Sequence, residues 1–416
     1  MRDPVSEIIA YNKPLLEHPV LAEDGKTDLT VEALRKKLEA LAGSPFQFLR
    51  GTFHLTAADL LRIRVPAALP QAPEGLIVGD LHLENFGIYR GQSGALCFDV
   101  NDFDDVGYGP LDLDLKRLCT SALLLPGLAA GVRLNAARAA ARAWAEELTK
   151  LGGRFPVPPW TIDKADGLVK ELLQDKGRKT REDLAAKVAS DKGHRRLAGD
   201  KFAAPSKDWV KAVHASVAEY VDSLQQLKAP DAPEGWDVLD VAYRYKGLGS
   251  LGRLRFTALL GKGEQRRLLE IKEARPSAMD DLRSRPASRD RARTQTASIR
   301  RLQGDPWPRV AATHLGKAAA LGRENEPEEE KIDSERFAQG DSKHEQLNLY
   351  ARQCGQVLAR LHARENAPVM FDAAWSPDTA ARVAVEFAEK YAPQVEADQK
   401  LYVQERARVA QTLGIR

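Results

Sequence analysis

The sequence predicts an α+β protein of two lobes, one large and helical, one small and antiparallel β-rich, and three observations predict it. At 416 residues the chain exceeds what a single hydrophobic core usually serves. Its apolar residues repeat at helical spacing over most of the length but switch to a period of two between Val238 and Ala274. Just before the switch lies APDAPEG, Ala229 to Gly235, whose two prolines and glycine cannot continue a helix. Residues 1–232 together with 336–416 are therefore assigned to the larger lobe and 233–335 to the smaller.

From the N-terminus, Val31, Leu34, Leu38 and Leu41 predict a helix over Val31 to Ala42, with Thr30 as its cap and Gly43 as its end. Further helices are expected over Leu115 to Leu125 and over the alanine-rich Asn135 to Lys150. Asp163 to Leu227 reads as helical and highly charged throughout. Val238 to Tyr245, Arg253 to Leu260 and Arg266 to Ala274 read as three strands, with Gly261 to Glu264 turning the second into the third. The arginine-rich stretch Asp281 to Arg301 and the acidic run Glu324 to Lys331 read as solvated surface. After Ser342, Leu347, Tyr350, Cys354, Val357, Leu358 and Leu361 fall on one helical stripe, and two more helices, Thr379 to Tyr391 and Ala397 to Leu413, close the chain.

Composition narrows the function classes. With 62 Lys+Arg against 59 Asp+Glu the formal charge is +3, and interspersed charge of this balance argues against a dedicated nucleic-acid or anionic-membrane binder. Cys97, Cys119 and Cys354 make no paired framework, which fits the reducing cytoplasm. The opening MRDPVSEIIAYNKPLLEHP has no secretory pattern, and the most apolar stretch, Leu118 to Val132, contains Pro126 and is shorter than the roughly 20 residues a span needs. A cytoplasmic protein is expected, of undetermined oligomeric state.

The densest polar cluster runs from Gly79 to Asp114 as GDLHLENFGIYRGQSGALCFDVNDFDDVGYGPLDLDL, a strand, a loop and a hairpin. Asp80, Asn85, Asp99, Asp102, Asp104 and Asp105 crowd there, and unpaired carboxylates repel unless a cation or basic group neutralises them. Oxygen donors of this kind suit magnesium or manganese, although Asp and Asn are also common turn formers. His82 has no second histidine or cysteine at zinc-ligand spacing.

A second cluster, KGLGSLGRLRF, places Gly247, Gly249 and Gly252 in a GxGxxG followed by an alternating strand. A dinucleotide fold would continue into a helix, whereas a strand is the pattern of the glycine-rich hairpin that covers ATP phosphates. The next strand, LLEIKEA, delivers Lys272 among apolar neighbours, suited to hold phosphates or, as many lysines do, to face solvent.

GDLHLEN resembles the HGDxHxxN catalytic loop of aminoglycoside-phosphotransferase-like and other atypical protein kinases, with Val78 where the leading His usually stands. DFDDVGYGPLDLDL looks like their metal-binding segment, and GQVLARLHAR, Gly355 to Arg364, is similar to the helix that precedes catalysis in those enzymes but comes last here. The resemblance thus implies a kinase-like fold in circularly permuted order, which is tolerable where termini lie close at a surface. SPFQFLRG, GDLHLENFG, FDVNDFDD, GPLDLDLKRL, GLGSLG, EIKEA and LARLHAR further resemble a bacterial family known as domain of unknown function 2252 over nearly the full length.

The kinase likeness implies ATP and magnesium as cofactors and a phosphoryl acceptor whose identity stays open. Asp80, with His82 in the same motif, stands at the catalytic positions, Asp80 orienting or deprotonating the acceptor hydroxyl. Asn85 and either Asp102 or Asp99 stand at the metal. Lys272 and the glycine loop, Gly247, Gly249, Ser250 and Gly252, stand at the phosphates. Asp114 is structural, and Arg50 and His54 either line the site or serve structure. Asp280 and Asp281 are candidate partners of Lys272, Glu273 lying on the opposite strand face. A nucleotide-binding pseudoenzyme, a metal-dependent hydrolase and a nucleotidyltransferase are the alternatives.

Overall fold

A computed structural model describes residues 2–62, 72–175, 177–188, 197–282, 290–337, 341–366 and 376–415, and within them the chain is α+β with antiparallel sheets. Helix α1 (Pro4–Asn12) begins with proline in its first turn, where no N–H is needed, and the Asp3 carboxylate caps it at the Val5 N–H, 3.0 Å. Helix α2 (Leu29–Gly43) starts two residues earlier than its periodicity suggests. Its cap is Asp28, whose carboxylate accepts from Thr30 and Val31 N–H at 2.8 and 3.3 Å, while the Thr30 hydroxyl accepts from Val20 N–H instead. Helices α3 (Pro45–Gly51) and α4 (Phe53–Arg62) follow.

Strands β1 (Glu74–Ile77), β2 (Phe86–Arg90), β3 (Leu96–Val100) and β4 (Gly107–Pro110) form two small pairings, β2 with β3 as a hairpin and β1 with β4. Helix α5 (Asp112–Leu123) gains its first turn from Asp112 and Asp114, acids being favoured at the positive end of a helix. Helix α6 (Ala130–Leu151) is the alanine-rich segment. The span from Asp163 to Leu227 is not one helical tract: α7 (Gly167–Gln174), α8 (Arg181–Val188) and α9 (Lys207–Gln226) are separated by irregular chain and by strand β5 (Phe202–Ala203).

The expected meander is present as β6 (Asp237–Arg244), β7 (Arg255–Lys262) and β8 (Gln265–Glu273), with Lys262 paired to Gln265 across the turn. After α10 (Ala278–Leu282) and α11 (Arg291–Leu302), strands β9 (Val310–Leu315) and β10 (Ala318–Glu324) complete a six-stranded sheet of order β5-β6-β7-β8-β10-β9. Strand β11 (Glu330–Lys331) joins the other hairpin at β2.

Two charged segments read as solvated surface are buried in part. Glu324 and Glu326 are enclosed because Arg309 meets both, its Nε 2.7 Å from Glu324, and Arg267 approaches Glu324 at 3.4 Å. In the arginine-rich stretch, Arg291 is buried and donates to the carbonyls of Val106 and Arg275 at 2.6 and 2.8 Å, whereas residues 283–289 lie outside the described set. Partners brought from distant strands decide burial here, and a charge run carries no local trace of them.

Helix α12 (Asp341–Asn366) carries the predicted stripe. The two closing helices are one, α13 (Pro377–Thr412), running through Pro393. Its buried face continues on both sides of the proline through Tyr391, Val395 and Tyr402, and the Tyr402 hydroxyl donates to the Leu38 carbonyl at 2.6 Å. Packing thus outweighs the missing N–H.

One core joins the N-terminal helices, β1 to β3 and helices α5, α6, α12 and α13. A second lies between the sheet and α9, where Val213, Val217, Tyr220 and Leu224 meet Phe256, Ile271 and Ala320, and it also takes in Val20, Leu29 and Ala33. Among the described residues no helix is long and apolar enough to cross a membrane.

Close contact between α6 and α12 depends on Gly355, where a Cβ would collide with the Ala140 carbonyl. Gly355→Ala should lower the unfolding free energy by about 1–3 kcal/mol. Gly43→Ala, where a Cβ meets nothing within 4 Å, should change it by less than about 0.5 kcal/mol in the same urea titration.

Candidate functional site

The cleft is built from the loop after β1. Val78 and Gly79 N–H donate to the two Asp114 oxygens at 2.8 and 2.9 Å, which fixes the loop on the first turn of α5. Gly79 has φ +85°, and a Cβ there would meet the Asp105 carbonyl at 2.5 Å. Asp114 is fully buried and lies 3.3 Å from His362 Nε2 of α12. Trp144 Nε1 donates to His362 Nδ1 at 3.2 Å, so the ring carries its proton on Nε2 and presents it to Asp114. Helix α12, late in the chain, therefore supports the loop from beneath.

Asp80 follows. Its carboxylate accepts from Arg117 Nε at 3.1 Å and from Arg117 Nη2, and Arg117 is oriented by the Thr56 hydroxyl and the Leu49 carbonyl at 2.6 and 2.7 Å. Burial pushes the Asp80 carboxyl up to about 6 against the pull of Arg117, with the negative charges of Asp105 and Asp102 adding to the rise. Asn85 gives its amide N–H to the Asp80 carbonyl at 2.5 Å, which leaves the amide oxygen as a donor for a cation. His82 Nδ1 accepts from Glu84 N–H at 3.2 Å and caps the 3-10 turn Leu83–Asn85. Burial and the nearby cations Arg50, Arg117 and Lys331 hold His82 neutral, far below the usual imidazole range.

The DFDD segment crosses to the sheet. Lys272 Nζ donates to Asp104 Oδ2, and Arg253 lies 3.8 Å from both Asp104 and Asp105. Burial alone would raise Asp104, but Lys272 and Arg253 outweigh it and hold the carboxyl below its usual range. Asp102 opens on the water of the cleft although protein surrounds it, and its only described hydrogen bond is from Asp104 N–H at 3.3 Å. Burial and then the Asp104 charge raise it, an effect the cleft water moderates.

Lys272 stands on β8 opposite Arg255 of β7 and Leu321 of β10. Arg255 forks onto Glu270 at 2.8 Å and reaches back to the Lys246 carbonyl and Ser250 hydroxyl at 2.7 and 3.0 Å. It thereby ties the glycine turn to the sheet. Gly247 (φ +76°) and Gly252 (φ +93°) flank the 3-10 turn Leu248–Ser250.

These groups enclose a cavity of about 250 Å³ whose wall contains Asp80, His82, Asn85, Asp102, Gly247, Gly249, Ser250 and Lys272. Arg50 also lines it and pairs with Glu84 at 2.6 Å. Two predicted site residues stand elsewhere. Asp99 is buried on β3, accepting from Gly304 N–H at 3.2 Å and facing Arg364 at 3.5 Å. Gly252 packs on Leu34 and Leu15 of the N-terminal segment. His54 stacks on Tyr11 with ring centroids 3.9 Å apart. Asp280 faces Arg291 at 3.7 Å, and the side chain of Asp281 lies outside the described set.

Sequence reasoning missed Arg117, Arg253, Arg255, Glu270 and the role of Asp104. Arg255 alternates with the apolar Phe256 on β7 and lines the cleft, so that alternation held the signal for Arg255.

Among the described residues no group of three His, Cys, Asp or Glu converges closely enough to hold a metal ion. Oxygen donors in the cleft include the Asn85 amide and the Asp102 carboxylate, a pair that fits magnesium held by one or two protein ligands together with substrate phosphates.

A family model described as an uncharacterized protein conserved in bacteria (DUF2252) matches residues 30–405. No curated protein and no solved structure matches the chain.

Because Asp80 holds its proton up to about pH 6 in the fold against 3.8 when unperturbed, its contribution to stability is full below about pH 4 and is lost as pH rises through 6. The stability difference between wild type and Asp80→Asn should therefore fall by up to about 3 kcal/mol between pH 4 and pH 7. A difference that is flat over this range would contradict the assigned environment.

Proposed function

The chain belongs to the DUF2252 family of bacterial proteins, and from the cleft we propose that it is an ATP- and magnesium-dependent phosphotransferase of circularly permuted, kinase-like fold, transferring to a hydroxyl acceptor. One observation carries the reading: Lys272 and Asp104, 168 positions apart, meet in a cleft that also holds Asp80, Asn85, Asp102 and the glycine turn. The two segments that resemble the catalytic and phosphate-binding parts of kinases are thus neighbours in space. Lys272 lies on the third strand of the meander and the helices α10 and α11 follow it, as a helix follows the phosphate-binding lysine in protein kinases. The order departs from theirs at the other end, where α12 closes the site through His362 and Asp114.

In this reading Lys272 exchanges Asp104 for phosphate oxygens, and backbone N–H groups of the glycine turn face the same anion. Arg117 aims the Asp80 carboxylate, whose raised affinity for protons brings it nearer to that needed to accept one from an alcohol while leaving it ionised at neutral pH. Asn85 and Asp102 would hold magnesium, which when bound neutralises charge on the transferring phosphoryl group. The rest of catalysis is positioning, which this reaction mostly requires.

One departure favours a second reading. Helix α11, RARTQTASIRRL, carries no acid to pair with Lys272, and the lysine is engaged by Asp104 instead. A nucleotide-binding pseudoenzyme would keep that arrangement. A metal-dependent hydrolase is less favoured, since it leaves Lys272 and the glycine turn without a task.

Calorimetric titration of ATP into the protein should show magnesium-dependent binding, weakened about tenfold or more by Asp102→Ala and by Lys272→Ala. Binding indifferent to both substitutions would remove the shared site, and with it both nucleotide readings.

A further inference from the structure

The strongest unexplained group outside the catalytic set is a buried lysine. Lys37 of α2 is fully shielded from solvent. Its Nζ donates to Asn12 Oδ1 at 2.9 Å and to the Gly249 carbonyl, in the glycine turn, at 3.3 Å, and it lies 5.3 Å from the centre of the Tyr11 ring. Asn12 is held in turn, its amide donating to the Ile8 carbonyl at 2.8 Å. Burying a lysine is costly, and a neutral side chain of the same length would fill the space without that cost. What the lysine adds is a directed hydrogen bond to one carbonyl, made although burial and then the charges of Arg253 and Arg275 lower its proton affinity to about 7.

That carbonyl belongs to a residue that comes close to the proposed base. A Cβ on Gly249 would lie 3.5 Å from Asp80 Oδ2 and 3.4 Å from the Arg50 carbonyl, so the turn comes down directly over the catalytic loop. A second thread runs from the same N-terminal helix: Arg253, which faces Asp104 and Asp105, donates to the Tyr11 hydroxyl at 3.2 Å. Helix α1 thus backs the glycine turn twice, through Asn12 by way of Lys37 and through Tyr11 by way of Arg253, although it lies ahead of the segment matched to the family, residues 30–405.

We propose that Lys37 is a positioning residue that fixes the tip of the glycine turn over Asp80, with Asn12 of α1 as the anchor on its other side. The inference concerns the geometry of the proposed nucleotide site and rests on that reading for its consequence. The strut itself is measurable without any nucleotide. A turn held in place before binding loses less freedom when phosphates arrive, so releasing it weakens binding.

Amide hydrogen exchange on the free protein tests the strut, comparing wild type with Lys37→Met, which keeps the length and removes the charge, and with Asn12→Ala. The strut predicts exchange about tenfold faster in residues 246–253 of Lys37→Met, the size of one buried hydrogen bond, with α2, α5 and the sheet unchanged. Asn12→Ala, which leaves the bond to Gly249, should disturb the turn less. Unchanged exchange in 246–253, or acceleration spread equally over α2 and the sheet, would overturn the inference and leave Lys37 a packing residue. If Lys37→Met does not fold, Lys37→Gln replaces it, and the same outcomes decide. The magnesium-ATP dissociation constant of Lys37→Met should rise about tenfold. A wild type that binds no ATP while the turn loosens as predicted would uphold the strut and sink the phosphotransferase reading alone.

Discussion

The contact between Lys272 and Asp104 is the constraint on which the cleft depends. A carboxylate and an ammonium withdrawn from bulk water are costly apart and tolerable together, so each fixes the other. Lys272 is carried by the sheet and Asp104 by the loop after β3, and their meeting ties the sheet to that loop. Arg253 and Arg255 extend the same logic along the sheet, the first toward Asp104 and Asp105, the second onto Glu270 and back to the glycine turn. These pairings act beside apolar contacts of the same turn, Gly252 against Leu34 and Leu15 and Leu248 beside Gly51.

A second fixed point lies beneath the loop. Asp114 takes two backbone N–H groups from the segment before Asp80 and the proton of His362, so three elements far apart in the chain meet at one buried carboxylate. Chain order has no place in that arrangement. A helix late in the sequence can support a loop near its start, provided packing brings them together, and the close approach of α12 to α6 at Gly355 does so.

Much of this was legible in the sequence, and the limits follow from the range of the interactions. Strands β6, β7 and β8 were readable to within two residues because alternation and a glycine turn are local signals. The carboxylate loop and the glycine turn were visible as motifs, and both line the cavity. The choice between Asp99 and Asp102 was not, because both sit beside the same hairpin and only tertiary packing turns Asp99 toward Arg364 and Gly304 and leaves Asp102 open to the cleft. The burial of Glu324 and Arg291 was missed for the same reason, their partners lying on other strands and loops. The break placed near Pro393 was a local rule overridden by a continuous buried face.

The most direct test of the account is a crystal structure with a non-hydrolysable ATP analogue and magnesium. The account predicts the phosphate chain beneath Gly247 to Ser250, Lys272 released from Asp104 onto phosphate oxygens, and the cation on Asn85 and Asp102. An analogue bound outside this cleft, with Lys272 still on Asp104, would contradict it.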